Sequence, residues 1–275
     1  MFWWLLLHQS AQVVQECLRS IPAAVSDGPE ATTVVVDNAS TDETLALVEE
    51  VAPDVEKLSL STNDGYAAVN AAMARFMTAE TDAVMVLNPD VRLEAGSIAS
   101  LLEALEVPGV GIAVPLLTHE SGSLQPSLRR EPTVLRALGE AVLGGDLAGR
   151  FPILGEVVVD PESYSRPNRV AWATGAAMLI SSECLRSVGA WDESYFLALG
   201  GDRLLPACQG PRLRGDVLAR RRGRSHRGRV ELLAQAVVDP HAESDTTVPF
   251  PSRHPEFHGL RCCRAAERVH QGRAR

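Results

Sequence analysis

Carboxylates and carboxamides recur where apolar, β-branched runs end, which is where a sheet presents chemistry to a ligand. Thr32-Thr33-Val34-Val35-Val36 runs into Asp37-Asn38-Ala39-Ser40-Thr41-Asp42, and Ala83-Val84-Met85-Val86-Leu87 runs into Asn88-Pro89-Asp90. At a sheet edge Asp37 can accept hydrogen bonds from a nucleobase or ribose. Asp90 can ligate a hard divalent cation that bridges two phosphates. Asn63-Asp64-Gly65-Tyr66 precedes the small-residue stretch Ala67-Ala68-Val69-Asn70-Ala71-Ala72-Met73, so backbone there can approach a ligand at a helix N-terminus. Taken singly, each motif fits a turn or a helix cap as well as a binding site.

The elements that must position these residues follow from periodicity. From Ala31 to Val114, short apolar runs alternate with longer helical stretches, which predicts an α/β fold with a mostly parallel sheet flanked by helices. Helices are expected at Thr44–Val51, Tyr66–Met77 and Ser97–Leu105, the first capped by Asp42 or Thr41. Lys57–Leu60 and Gly111–Val114 read as further strands. Open α/β sheets bind ligands outside the carboxyl ends of their strands, where Asp37 and Asp90 fall. Past Pro115 the pattern weakens as far as about Asn168, with a helix expected at Thr133–Val142. Val170–Ile180 reads as a buried run containing Gly175, and Ser182–Val188 as a short capped helix. From about residue 198 no period of 2 or 3.6 persists, so no regular structure is expected.

Read in order, Val-Asp-Asn-Ala-Ser-Thr-Asp, Asn-Asp-Gly-Tyr-Ala-Ala-x-Asn, Leu-Asn-Pro-Asp-Val, Gly-Ala-Ala-Met-Leu-Ile and Trp-Asp-Glu-Ser-Tyr-Phe make the chain similar to the family 2 inverting glycosyltransferases. It most resembles the bacterial rhamnosyltransferase branch, from about Ser10 to Leu197. The resemblance implies a GT-A fold, with a nucleotide-sugar-binding half at 1–115, an acceptor-side half at 116–197 and an atypical Arg-rich tail at 198–275. It implies that Asp37 and Asn38 meet the nucleoside, that Asn63, Gly65 and Asn70 line the nucleotide and diphosphate, and that Asp90 holds Mg²⁺ or Mn²⁺. Asn88 stands where many relatives carry the first Asp of an Asp-X-Asp motif. Trp172–Ala177 would be a strand flooring the donor sugar, with Gly175 leaving room for the ring, and Asp192 would begin an acceptor-side loop. The implied partners are a dTDP- or UDP-sugar donor and a glycan or glycolipid acceptor of the cell surface, reached from the cytoplasm by peripheral association with the inner membrane face. Chemistry agrees: a diphosphate leaving group needs a cation, and an acceptor hydroxyl needs a carboxylate base.

The end of the chain departs from that family. Relatives follow Tyr-Phe-Leu with a Glu-Asp or Glu-x-Asp element carrying the base. Here Ala198-Leu199-Gly200-Gly201-Asp202-Arg203 follows, and only Asp202 can deputise. Residues 201–216 can be encoded so that the frame one base downstream reads Glu-Thr-Asp-Phe-Cys-Leu-Arg-Ala-Arg-Asp-Arg-Gly-Tyr-Val-Glu, similar to the missing helix. Residues 225–231 likewise permit Ala-Thr-Gly-Gly-Gly-Ser-Ser, similar to the family's later Gly-rich loop. A frameshift near residues 198–201 is therefore the expectation. The alternative function is a catalytically inactive nucleotide-sugar-binding remnant that lacks the base.

Composition closes off other classes. The 275 residues are 45% hydrophobic and 22% charged, enough to bury a core. Residues 1–197 carry 11 basic and 27 acidic side chains, against 15 and 8 in 198–275. A body of net charge −16 cannot hold nucleic acid by a general field, and the arginine run 220–224 lacks interleaved aromatics. No G-x-G-x-x-G follows a strand, which argues against a dehydrogenase. The five cysteines show no metal-ligand spacing, and their odd number suits a reducing compartment. Phe2–Leu7 is too short to span a membrane and lacks the flanks of a signal peptide.

Overall fold

The computed structural model describes residues 1–25, 31–165, 168–191, 217–219 and 235–238. All of these lie within one compact unit, Met1–Ser244. The strands are β1 (Phe2–Leu7), β2 (Thr32–Asp37), β3 (Glu56–Ser59), β4 (Ala83–Leu87), β5 (Val91–Leu93), β6 (Ile112–Val114), β7 (Leu116–His119), β8 (Leu128–Arg129), β9 (Asn168–Val170), β10 (Trp172–Ala173), β11 (Ala177–Ser181), β12 (Val217–Ala219) and β13 (Gln235–Val238). The helices are α1 (Val14–Ala24), α2 (Thr44–Val51), α3 (Ala68–Phe76), α4 (Ser97–Leu105), α5 (Val134–Leu143), α6 (Gly145–Gly149) and α7 (Ser182–Val188).

The main sheet has the order β3-β2-β1-β4-β11-β6-β12-β9. β1 pairs parallel with both β2 and β4, whereas β11 runs antiparallel to β4 and β6. The sheet is therefore mixed but mostly parallel. β1 takes its centre because Phe2–Leu7 is apolar at every position and can be buried on both faces, as parallel sheets require. Successive side chains point to opposite faces. Trp3, Leu5 and Leu7 join Val35, Met85 and Leu179 in one core layer with α1 and α4. Trp4 and Leu6 join Val34, Val86 and Met178 in the other, with α3 and α7.

Most expected elements are present with small shifts. α2, α4 and α7 have the expected bounds, and Thr133 caps α5 by accepting a hydrogen bond from Arg136 N–H. Glu43, not Asp42 or Thr41, holds the N-cap position of α2 and makes no side-chain cap bond, while Asp42 accepts from Thr44 N–H at 3.1 Å. The expected helix from Tyr66 begins instead as a 3-10 turn, Gly65–Ala67, before α3. Two departures are larger. Val170–Ile180 is not one run: β10 and β11 are separated by a turn at Gly175. And within the tail, where no regular structure is expected, β12 pairs parallel with β6 and β13 parallel with β7.

Candidate active site

Between β1 and β4 the strand order reverses, and the crevice beyond the carboxyl ends at such a point is where open α/β sheets take ligands. Two loops meet there. The chain after β1 and the chain after β2 are tied together by Gln9 N–H to Ser40 Oγ (3.0 Å), Ser10 N–H to Thr44 Oγ1 (2.7 Å) and Ala11 N–H to Asp42 Oδ2 (3.2 Å). His8 Nδ1 lies 2.8 Å from Asn38 O, which puts the ring proton on Nδ1. Gln9 (φ 48°) and Ala39 (φ 57°) are the two non-glycine residues with positive φ among the described residues, one in each of the two loops that this stitch joins. Left-handed backbone at ordinary residues stores strain, and such strain gathers at ligand-binding sites. Asp42 anchors the seam. Burial pushes its carboxyl up, but hydrogen bonds from Thr44 and Ala11 outweigh that and hold it below its ordinary value.

Asp37 closes β2 with 2% of its surface exposed, and both carboxylate oxygens accept from Ser40 N–H at 3.3 Å. One shared, long donor leaves a carboxylate with capacity for further donors, such as ribose hydroxyls. Asn38 is spent differently: Nδ2 donates to Gly65 O (3.1 Å) and Oδ1 accepts from Asp64 N–H (3.3 Å). It therefore fixes the 63–65 loop to the end of β2. Asn63 Oδ1 accepts from Gly65 N–H (3.0 Å), and Gly65 needs its φ of 57° to make that turn.

The end of β4 is the second pole. Asn88 N–H donates to Ala176 O (2.9 Å), and Asn88 Oδ1 accepts from the Tyr66 hydroxyl (3.0 Å). Burial raises the Tyr66 phenol; the bond to Asn88 pulls the other way, and the charge of Asp90 adds to the rise. That charge also adds to the burial that lifts the Cys17 thiol, whose Sγ sits 3.7 Å from Asn88 O. Asp90, Asn88 and Tyr66 thus share one neighbourhood. Tyr66 also occupies the space that Gly175 would otherwise leave: a Cβ at Gly175 would lie 3.0 Å from its hydroxyl. The absence of a side chain at Gly175 makes room for Tyr66, and the segment is a turn rather than the flooring strand expected.

Asn70 forms a reciprocal pair with the main chain of Trp191, Nδ2 to O at 2.9 Å and N–H to Oδ1 at 2.7 Å. Trp191 stacks on Tyr66 at 6.4 Å between ring centroids. This pair ties Trp191 to the first turns of α3. Asp192 and Asp202, the expected catalytic carboxylates, lie outside the described residues. The sequence reading carried over no residue at the end of β1, yet His8 and Gln9 stand there. The rule that ligands lie at carboxyl ends beside an order reversal was the signal that could have found them.

Among the described residues no three His, Cys, Asp or Glu side chains cluster to hold a metal. Asp90, just past the end of β4, is a single carboxylate that could hold an ion. Mg²⁺ commonly takes one or two carboxylates and completes its shell with substrate phosphates and water. A cavity of about 490 Å³ lies on the α3–α7 flank, lined by Asn70, Met73, Met77, Thr78, Leu185 and Arg186. Met77 and Thr78 precede β4, so this cavity is toward the opposite end of the strands from Asp90.

Residues 6–152 match the family model described as Glycosyl transferase family 2. The chain is 34% identical over 186 residues to an N-acetylglucosaminyl-diphospho-decaprenol L-rhamnosyltransferase of Mycobacterium tuberculosis, covering 62% of this chain. It spans 60% of that relative's length, and the protein of a second strain gives the same figures. Among solved structures, S. aureus TarS 1-349 in complex with UDP superimposes with a TM-score of 0.53 at 16% identity, over 86% of this chain and 60% of that one. GalNAc-T7 with UDP, GalNAc and Mn²⁺ gives 0.57 at 13% identity, over 86% and 42%. These likenesses show a shared GT-A fold. With the family model covering more than half of its length, and with its polar residues gathered at the carboxyl ends of β1, β2 and β4, the chain belongs to glycosyl transferase family 2.

Proposed function

We propose that the protein transfers a sugar, rhamnose being the favoured one, from a dTDP- or UDP-sugar to a lipid-linked or polysaccharide acceptor, with inversion and with a divalent cation. The observation that carries this reading is the grouping of Tyr66, Asn88 and Asp90 at the end of β4 beside a strand-order reversal, with Asp37 closing β2, the strand on the far side of β1. Two relatives bear the name of a rhamnosyltransferase acting on a diphospho-decaprenol carrier, which supports the choice of donor and acceptor. GalNAc-T7, solved with UDP and Mn²⁺, supports the cation.

In this reading Asp37 accepts from the nucleoside, and the Asn38-held 63–65 loop brings backbone close to the diphosphate. Asp90 holds Mg²⁺ or Mn²⁺, which when bound neutralises the diphosphate as it leaves. Tyr66, propped by Gly175 and bonded to Asn88, walls the crevice and keeps water from it. Trp191, pinned by Asn70, backs Tyr66 by stacking on it. Inversion needs one carboxylate to take the acceptor hydroxyl's proton in a single displacement. If the present reading frame is genuine, Asp202 or Asp192 is our candidate for that base; if it is not, the base belongs to the Glu-Asp element of the restored frame.

A second reading is favoured by the out-of-frame match of residues 201–216 to the family's base-bearing helix: this chain binds nucleotide sugar but does not turn over. The experiment is to sequence the gene across codons 190–235 and assay this chain and the frame-restored chain for metal-dependent release of nucleoside diphosphate from dTDP-rhamnose and UDP-sugars. Turnover by the restored chain alone establishes the family activity and makes this chain the inactive form. Turnover by neither removes the reading.

A further inference from the structure

His8 is the first residue past β1, beside the strand-order reversal, and three of its four polar atoms are engaged in holding it still. Its main-chain N–H donates to the Oγ of buried Ser10 (3.1 Å), and its carbonyl accepts from the same hydroxyl (3.0 Å). Nδ1 donates to Asn38 O (2.8 Å), and Asn38 is anchored in turn through Nδ2 to Gly65 O and Oδ1 to Asp64 N–H. Gln9 and Ala39, the residues that follow the two partners, both have left-handed backbone, so strain lies on either side of this one bond. Nε2 is the fourth atom. It has no partner among the described residues and is not enclosed, so the half-buried ring keeps that edge open to solvent.

The bond to Asn38 decides what Nε2 can do. A carbonyl oxygen only accepts, so the neutral ring carries its hydrogen on Nδ1 and leaves Nε2 a bare lone pair in the ring plane. Such a lone pair repels phosphate oxygens, which excludes the diphosphate as its partner. It calls for a single in-plane donor. Asp37, the register partner of Leu7, leaves the neighbouring strand at the same level, and its two oxygens suit the hydroxyls of a ribose. The base is then the group left for Nε2. Uracil and thymine each present one imide N–H, at N3, whereas cytosine presents a second lone pair there.

We propose that His8 reads the nucleobase: Nε2 accepts the imide N3–H of uracil or thymine and so selects UDP- and dTDP-linked donors against CDP-linked ones. Cytosine would set lone pair against lone pair, leaving two polar groups desolvated without a bond. The assignment rests on the nucleotide-sugar function proposed above and adds to it the residue that sets the choice of base.

The test is isothermal titration of UDP, dTDP and CDP, each with Mn²⁺, into the full wild-type chain and the variants His8→Asn and His8→Gln. The asparagine amide nitrogen stands where Nδ1 stood and keeps a donor for Asn38 O while Nε2 is lost. The wild type should bind UDP and dTDP at least about tenfold more tightly than CDP, and His8→Asn should shrink that ratio to within about threefold by weakening UDP. His8→Gln, whose amide oxygen reaches the place of Nε2, should regain UDP affinity. A ring that merely positioned the loop would weaken UDP and CDP alike, and so would a loss of folded protein, so the ratio isolates the base contact. Equal affinity of the wild type for UDP and CDP overturns the proposal, as does an unchanged ratio in His8→Asn. Either result leaves the functional reading in place, whereas a wild type that binds no nucleoside diphosphate sinks that reading and the role of His8 with it.

Discussion

The central sheet and the α5–α6 hairpin use apolar residues in opposite ways. In β1, six consecutive apolar residues sit at the middle of the sheet, and Trp3, Trp4, Leu5 and Leu7 are almost wholly buried. In α5 the apolar face looks outward, and polar side chains with a bare Gly139 hold the helix down. Burial of hydrophobic area drives the first region together. The second is held by hydrogen bonds to main chain and by close backbone approach, and its apolar area adds little to folding. What differs is what each side chain touches, which hydrophobicity alone does not reveal.

Substitutions that exchange the two cases should separate them. The largest effect is expected at Trp4→Ala, which empties a fully buried site and should cost about 3–5 kcal/mol in chemical denaturation. Gly139→Ala should come next, at roughly 1–3 kcal/mol, because the new Cβ has no room beside Leu154 O. Limited proteolysis should then cut within residues 134–157 first, and a protease pattern identical to wild type would mean that Gly139 is not the hairpin's hinge to the body.

Acid should expose the seam between the β1 and β2 loops. The Asp42 carboxyl is held below its ordinary value of 3.8, so its contribution to stability is complete above that pH and is lost as pH falls through its folded value. The stability gap between wild type and Asp42→Asn should stay constant near neutrality and close in that acidic range; a gap that widens on acidification would contradict the assignment. The smallest effect belongs to Val142→Ser, where replacing a 79% exposed side chain should change the unfolding midpoint by less than about 0.5 kcal/mol. A core-sized loss there would place α5 in the core and erase the contrast.

Much of the parallel half was legible because its signals are local. Val34–Val36 and Val84–Leu87 read as doubly buried strands, and a polar residue following such a strand has only the carboxyl-end crevice to occupy. The positions of Asp37, Asn88 and Asp90 at those strand ends were legible that way. The Gly175 turn was not, since a glycine among small residues reads equally as a close-packed strand until Tyr66 is seen beside it. The pairing of Asn70 with Trp191 spans 121 positions, and no local pattern announces that a carboxamide will be spent on distant main chain. β12 was missed because the arginine- and glycine-rich sequence around it carries no period, whereas β13 lies in the apolar run 232–238, a local signal that was there to be read. The inside-out α5 was read as a helix, but its orientation was invisible: the apolar face predicts burial, and only the bonds of Arg136 and Glu140 reverse it.

The central claim is that the crevice beside Asp90 binds a nucleoside-diphosphate sugar through a divalent cation. Isothermal titration of dTDP-rhamnose and UDP-sugars into wild type and Asp90→Ala, each with and without Mn²⁺, tests it most directly. Metal-dependent binding by the wild type, lost in Asp90→Ala in a protein that unfolds at an unchanged temperature, is the predicted result. Binding by Asp90→Ala with the same affinity and the same metal dependence would contradict it.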